Sequence, residues 1–209
     1  MKRIVCLDPG HGGSDPGALG PNGLKESQMA LDVCLRIRKI LLPFVDVIMT
    51  RTNDKFVTLS NRAKIANDAR AEKFLSYHFN SAESPTAHGW EIFTTRGVTS
   101  SDALASAIGV RQTAGFPNQR QRADFADGDI DKEANFAVLR KTNMSAVLIE
   151  GEFIHTDKGA DFINQPDNRQ KMAEVAAYGL LDNMGINPLS GKPTTPPTET
   201  HARATCFSK

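Results

Sequence analysis

Short apolar runs alternate with helix-spaced apolar stripes along most of this 209-residue chain, and that alternation limits its fold more than any other feature. Ile4, Val5, Cys6 and Leu7 run unbroken to Asp8-Pro9-Gly10, which predicts a buried strand over 2–7. Met29, Val33, Ile37, Ile40 and Leu41 then repeat at helical spacing over 26–42 and stop at Pro43. A second strand is predicted over 44–50, a helix over 59–71 with Thr58 or Ser60 as N-cap, and strands over 73–79 and 89–95. Leu104 and Ile108 support a helix over 101–114, and residues 115–134 read as polar and irregular. "FAVLR" at 136–140 and "SAVLIE" at 145–150 read as the last two strands, the second apolar enough to be central. A helix over 169–184 follows, burying Met172, Val175, Ala176, Gly179 and Leu180. The pattern predicts an α/β fold: a largely parallel sheet with helices on both faces.

Composition narrows the class of partner. The net charge of +1 gives no polyanion a general surface, and the short basic run "QRQR" at 119–122 reads as a solvated loop, so no nucleic-acid partner is expected. No stretch approaches the roughly 18 apolar residues that a membrane-spanning helix needs, and no membrane partner is expected. The apolar stretch Ile4 to Leu7 is too short for a signal peptide's core, so no export signal is expected. Cys6, Cys34 and Cys206 lack metal spacing and read as free thiols, the first two behaving as small hydrophobes. From 187 the chain turns Pro- and Thr-rich without apolar periodicity, so the expected organisation is one compact domain over 1–186 and a linker or disordered tail over 187–209.

In an open α/β sheet the ligand crevice lies beyond the carboxyl ends of the strands. His11 follows the first predicted strand, His78 ends the third, Glu150 ends the last, and Glu26 opens the first helix. Two imidazoles and a carboxylate form a common zinc set, leaving the other carboxylate free for proton transfer. Zinc polarises an amide carbonyl and lowers a coordinated water's pKa to about 7, so metal-assisted amide hydrolysis is the matching reaction class. The residues alone leave alternatives open: His11 as a ligand or as a loop histidine bonded to backbone, and Glu26 as a ligand or as a helix N-terminal charge.

The blocks "LDPGHGGSDPGALGPNGLKES" (7–27), "MTRTNDKFVTLSNRAKIAN" (49–67), "FLSYHFNS" (74–81), "GWEIFTT" (89–95) and "VLRKTNMSAVLIEGEFIHT" (138–156) are similar, in order, to the zinc-dependent N-acetylmuramoyl-L-alanine amidases of the amidase type 3 family. The resemblance implies a twisted, mostly parallel six-stranded sheet flanked by helices. It implies His11, Glu26 and His78 as Zn2+ ligands, Glu150 as the catalytic carboxylate, and Asn80 as a residue that orients the loop or a strand-end turn residue. It further implies peptidoglycan as partner, cleaved between N-acetylmuramic acid and L-alanine. A monomer is expected. With no export signal read, the chain suits a phage or prophage endolysin made in the cytoplasm and acting on the wall. A bacterial autolysin or sporulation amidase without its leader, or a catalytically impaired wall-binding module, are the alternatives. Where the family usually reads Glu-x-Gly-Phe, this chain has Glu150-Gly151-Glu152-Phe153, which predicts an extra carboxylate close to the site.

Other motifs carry less. "DGDIDKE" at 127–133 imitates an EF-hand, but the required Gly falls on Lys132 and the terminal Glu on Val138, so it reads as part of a polar surface insertion over 115–134 that is a candidate lid. The glycines of "DPGHGG" lack the spacing of a phosphate loop. His88 and His155 read as loop residues near the metal shell, His201 as tail, and Trp90 as core.

Overall fold

The computed structural model describes residues 3–126 and 128–188. The Pro/Thr-rich stretch from 189 onward, with His201 and Cys206, lies outside the described residues.

β1 (Ile4–Pro9) lies between β2 (Asp46–Met49) and β3 (Lys73–Asn80), and β6 (Ser145–Phe153), β4 (Glu91–Thr94) and β5 (Lys132–Glu133) continue the sheet, giving the order β2-β1-β3-β6-β4-β5. β1, β2, β3 and β6 are mutually parallel, while β4 runs antiparallel to β6. The α/β class and the six-stranded, mostly parallel sheet agree with the sequence reading. β1, β3 and β6 have neighbours on both sides and helices on both faces, which is why their sequences are almost unbroken apolar runs.

Side chains alternate across the sheet. Val5, Leu7, Leu75, Tyr77, Val147 and Ile149 face one core, formed with α1 (Glu26–Leu41), α3 (Ser100–Gly115) and α6 (Pro166–Asn183). Cys6, Phe74 and Leu148 face a smaller core under α2 (Leu59–Asp68) and α4 (Ala137–Arg140). Cys6 and Cys34 are thus buried free thiols on opposite faces, as the apolar patterning predicted.

Two sequence expectations need correction. "FAVLR" is not a strand: Ala137–Arg140 forms the single helical turn α4, with Arg140 N and Lys141 N bonded to Phe136 O and Ala137 O. A five-residue apolar run is ambiguous in periodicity, and burying Val138 and Leu139 against α2 decides it for helix. The sixth strand is instead the two-residue β5, inside the stretch read as irregular. The helix α5 (Asp157–Asn164) was not anticipated; the Thr156 hydroxyl caps it by accepting from Gly159 N at 3.0 Å. Thr58, one of two proposed caps, is the residue that caps α2.

Candidate metal and catalytic site

The chain leaves β1 first toward β2 on one side and later returns to β3 on the other, so the sheet order reverses at β1. A crevice opens beyond the carboxyl ends of strands at such a reversal. The loop after β1 carries His11, and β3 carries His78 near its end.

Glu26 joins them from the start of α1. Its Oε1 lies 3.1 Å from His11 Nε2 and 2.8 Å from His78 Nδ1, and accepts from Phe79 N at 3.1 Å. Its Oε2 accepts from Ala18 N at 2.8 Å. One donor atom from each of His11, Glu26 and His78 lies within 4.8 Å of the other two, so the three expected ligands do come together. Burial works to raise the Glu26 pKa, but the hydrogen bonds and charges of the two histidines outweigh it and hold the carboxyl far below the usual range. Burial also works to lower the His11 pKa, and Glu26 and then Asp15 overcome it, leaving His11 raised.

The glycines of this loop serve close approach. A Cβ on Gly10 would lie 2.3 Å from His78 Cε1, and one on Gly17 would lie 2.6 Å from both Glu26 Oε2 and His11 Cδ2. His11 itself adopts φ 59°, a left-handed conformation rare for a residue with a Cβ.

Three residues that sequence reasoning did not assign hold this conformation. Asp15 Oδ2 bonds His11 Nδ1 at 2.8 Å, which turns Nε2 toward Glu26. The buried Arg51 donates to Pro9 O, Gly10 O and Ser27 O at 3.0, 2.6 and 2.7 Å. The buried Arg62 donates to Pro9 O and His11 O, both at 2.6 Å, and to Asp8 Oδ1 at 2.8 Å. The one available signal was an Asp four residues after a histidine in a glycine-rich loop; Arg51 and Arg62 stand among polar residues, in "MTRTND" and "LSNRAKIAND", and offered none.

Glu150 stands beside His78 in the β3–β6 register and opposite Glu91 on β4. Its Oε2 is buried without a hydrogen-bond partner. Burial first, then the charges of Glu26 and Glu91, push its pKa well above the ordinary carboxylate value. Glu91 is held by Arg122 and by Lys132 at 3.1 Å, so the expected solvated "QRQR" loop in fact sends Arg122 into an ion pair. His11, His78 and Glu150 form the polar end of a cavity of about 510 Å³ whose apolar wall includes Phe56, Leu59 and Phe136.

Glu152 is the clearest departure from expectation within the site. The β3–β6 register shifts between His78 and Asn80, so Glu152 does not repeat the direction of Glu150. Its Oε1 accepts from Gly89 N at 2.6 Å and Phe153 N at 2.9 Å, and its Oε2 from Gln119 at 3.0 Å. It lines a separate cavity of about 520 Å³ beside Phe116 and Phe162, and is absent from the walls of the first. The 115–134 segment, expected as a candidate lid, contributes no residue to the His11 cavity among the described residues. Its start is instead stitched to β4 and β6 through Arg120 O, Arg122 N and Gln119.

The remaining predicted residues have ordinary partners. Asn80 Oδ1 accepts from Ser81 N at 2.8 Å, which makes it a turn residue at the strand end. His88 Nδ1 and His155 Nε2 each lie 2.9 Å from a backbone carbonyl, of Thr86 and Ser84, outside the ligand group. Trp90 is buried in the core, as read.

Residues 5–182 match the family model Amidase_3, N-acetylmuramoyl-L-alanine amidase. The chain is 37% identical over 179 residues to the sporulation-specific N-acetylmuramoyl-L-alanine amidase of Bacillus subtilis (strain 168), covering 84% of this chain and 66% of that protein. It is 32% identical over 193 residues to the endolysin of Bacillus phage SPP1, covering 91% and 69%. The chain thus spans about two thirds of these two relatives, and 52% of another. Among solved structures, the N-acetylmuramoyl-L-alanine amidase AmiC2 of Nostoc punctiforme superposes with a TM-score of 0.80 at 32% identity, over 88% of this chain and 98% of that one. With a family model spanning nearly all of its described residues, the chain belongs to the N-acetylmuramoyl-L-alanine amidase family Amidase_3.

Proposed function

We propose that this chain hydrolyses the amide between N-acetylmuramic acid and the L-alanine of the peptidoglycan stem peptide, with a zinc ion held by His11, Glu26 and His78. The observation that carries this reading is the convergence of those three donors beside a partnerless carboxylate oxygen on the neighbouring strand. The donor set fits zinc: two imidazole nitrogens face one carboxylate oxygen, with Asp15 fixing the ring of His11 from behind. A zinc ion there supplies Lewis acidity toward the scissile carbonyl and toward an attacking water.

Glu150 takes the water's proton and passes it to the departing amine, since an amine leaves only once protonated. Burial first and the Glu26 charge second favour the protonated form of Glu150, and a cation held by Glu26 would weaken the second of these. Phe56, Leu59 and Phe136 give the cavity an apolar wall.

For biological role we propose wall lysis of the endolysin type, acting as a catalytic domain over 1–186 on peptidoglycan, as a monomer, without nucleic-acid or membrane partners. The likeness to the phage SPP1 endolysin supports it, and the 37% identity to a sporulation amidase supports the alternative of a bacterial wall enzyme. No helix among the described residues is long and apolar enough to cross a membrane.

The test is release of L-alanine amino termini from peptidoglycan, by the parent chain stripped of metal and restored with zinc, and by Glu150→Gln. Glu150→Gln should lose about 10²–10⁴-fold in rate while retaining zinc. Full activity in that variant removes Glu150 from the mechanism, and new reducing ends in place of alanine termini refute the amidase assignment.

A further inference from the structure

Beside the β4–β5 edge of the sheet, at the opposite end of β6 from Glu150, three carboxylates from separated parts of the chain converge. Asp102 lies in the first turn of α3, and Asp129 and Asp131 lie in the segment that leads into β5. One oxygen from each lies within 4.8 Å of the other two. Their location follows from topology: β4 runs antiparallel to β6 and pairs Glu91 with Glu150 and Phe93 with Leu148, so Thr94 points toward the start of β6. Ser101 Oγ of α3 accepts from Ala146 N there, at 3.0 Å.

The three groups are anchored but not neutralised. Asp102 accepts from Thr99 N at 2.7 Å and Thr99 Oγ1 at 3.1 Å, forming the capping box of α3. Asp129 Oδ1 accepts from Asp131 N at 3.2 Å. Asp131 is only 3% exposed, and its Oδ2 accepts from Thr94 Oγ1 at 2.5 Å. Its other oxygen, Oδ1, is buried with no partner at all. Among the described residues no Lys or Arg pairs with any of the three, and Lys132, next in sequence, turns to Glu91 instead. Burial, opposed by the Thr94 hydrogen bond and reinforced by Asp129 and Asp102, pushes the Asp131 carboxyl up to about 7. A buried carboxyl group with two further carboxylates within 4.8 Å needs a counter-charge if it is to ionise.

We propose that Asp102, Asp129 and Asp131 form a second metal site, taking a hard divalent cation of the calcium type and tying the segment before β5 to the N-terminus of α3. The donor set is all oxygen, which selects calcium or magnesium over the zinc that a His-containing set prefers. An irregular loop suits the variable coordination of calcium better than the strict octahedron of magnesium. The site is not an EF-hand: its third carboxylate comes from α3 rather than from the same loop. This proposal is independent of the amidase reading.

Trp90 offers a direct probe, being the only tryptophan in the chain. A Cβ on Gly109 would lie 1.8 Å from Ile130 Cδ1 and 3.6 Å from Trp90 Cη2, so Ile130, between the two loop aspartates, and Trp90 flank the same glycine. The zinc-loaded full chain, freed of calcium, is titrated with terbium under tryptophan excitation, then with calcium or magnesium chloride as competitor. Saturable luminescence displaced by calcium with Kd of about 10⁻⁴–10⁻³ M is expected, with magnesium weaker. Saturating calcium should raise Tm by about 5 °C. Asp129→Asn, at a partly exposed position, should weaken binding at least about tenfold and keep parental hydrolysis of peptidoglycan. Absence of a saturable signal, equal binding by Asp129→Asn, or loss of the signal in His11→Ala overturns the proposal. So does a gain of stability on acidification with no response to calcium, because the carboxylates then share a proton instead.

Discussion

Arg62→Met tests whether the His11 loop is held by a buried guanidinium. Methionine keeps much of the aliphatic stem and removes four hydrogen bonds: to Asp8 Oδ1 (2.8 Å), Pro9 O (2.6 Å), His11 O (2.6 Å) and Val57 O (2.9 Å). Asp8 is fully buried and retains only the Thr50 and Ser76 hydroxyls, at 2.6 and 2.7 Å. Removing one partner of a buried ion pair costs about 3–5 kcal/mol, and the surviving hydroxyl bonds place this case near 3 kcal/mol. Against a total stability of about 5–15 kcal/mol, that lowers Tm by about 6–12 °C in a chain of this size. Urea denaturation gives the loss directly, provided the m-value is unchanged. Arg111→Met is the comparison: its bonds to Asp182, at 2.6 and 2.9 Å, lie at the surface, where a pair contributes about 0–1 kcal/mol. Zinc affinity should fall with Arg62→Met and not with Arg111→Met, because only Arg62 grips the His11 carbonyl. Equal losses for the two variants would refute the argument that burial gives Arg62 its weight.

Glu152→Ala leaves Gly89 N and Phe153 N without their carboxylate acceptor, so it should destabilise the chain by about 1–3 kcal/mol in urea while leaving the pH–rate profile of hydrolysis unshifted; a displaced acid limb would return Glu152 to the catalytic group. In the metal-free chain the Glu26 carboxyl is lowered from 4.5 and the His11 imidazole is raised from 6.5. Glu26 therefore contributes stability above 4.5 that is lost as pH falls through its depressed pKa, and His11 contributes stability below 6.5 that is lost as pH rises through its raised one. Thermal melts should show Tm of the stripped chain falling as pH rises above 6.5, with the slope reduced in His11→Asn, whereas zinc affinity rises in the same direction as protons leave the ligands. A stripped chain that gains stability toward alkaline pH contradicts the cluster's electrostatics.

The sheet was legible where one physical pressure dominated. β1, β3 and β6 are buried on both faces, so each carries a mostly apolar run, and polar residues enter it mainly toward the carboxyl end, as Asp8, His78 and Glu150 do. α1 shows its buried stripe because it packs one face on the sheet and leaves the other to solvent. Elements of fewer than about five residues lack room for either period to show, and both misplacements, α4 and β5, belong to that class. α5 was hidden differently: its cap, Thr156, follows β6 so closely that strand, turn and helix start share four residues.

The site divides along the same line. His11, Glu26, His78 and Glu150 could be named as candidates because strand ends and a helix start are positions that sequence patterns locate, and such positions collect ligands. What turns them into one cluster was not legible, because it is written in backbone contacts. Arg51 and Arg62 carry no sequence signal of a buried role, yet each is held by carbonyls at the end of β1 and in the loop after it. Those carbonyls accept because the loop takes positive φ at His11, Gly12, Gly13 and Gly17 and turns them inward. The direction of Glu152 depends likewise on a register shift of the neighbouring strand, which no pattern within 150–153 encodes. Residue identity therefore locates the donors, while their orientation is a property of the paired backbone. Substitutions that act through orientation should then change zinc affinity and stability together, whereas Glu150, which only lines the cavity, should change rate alone.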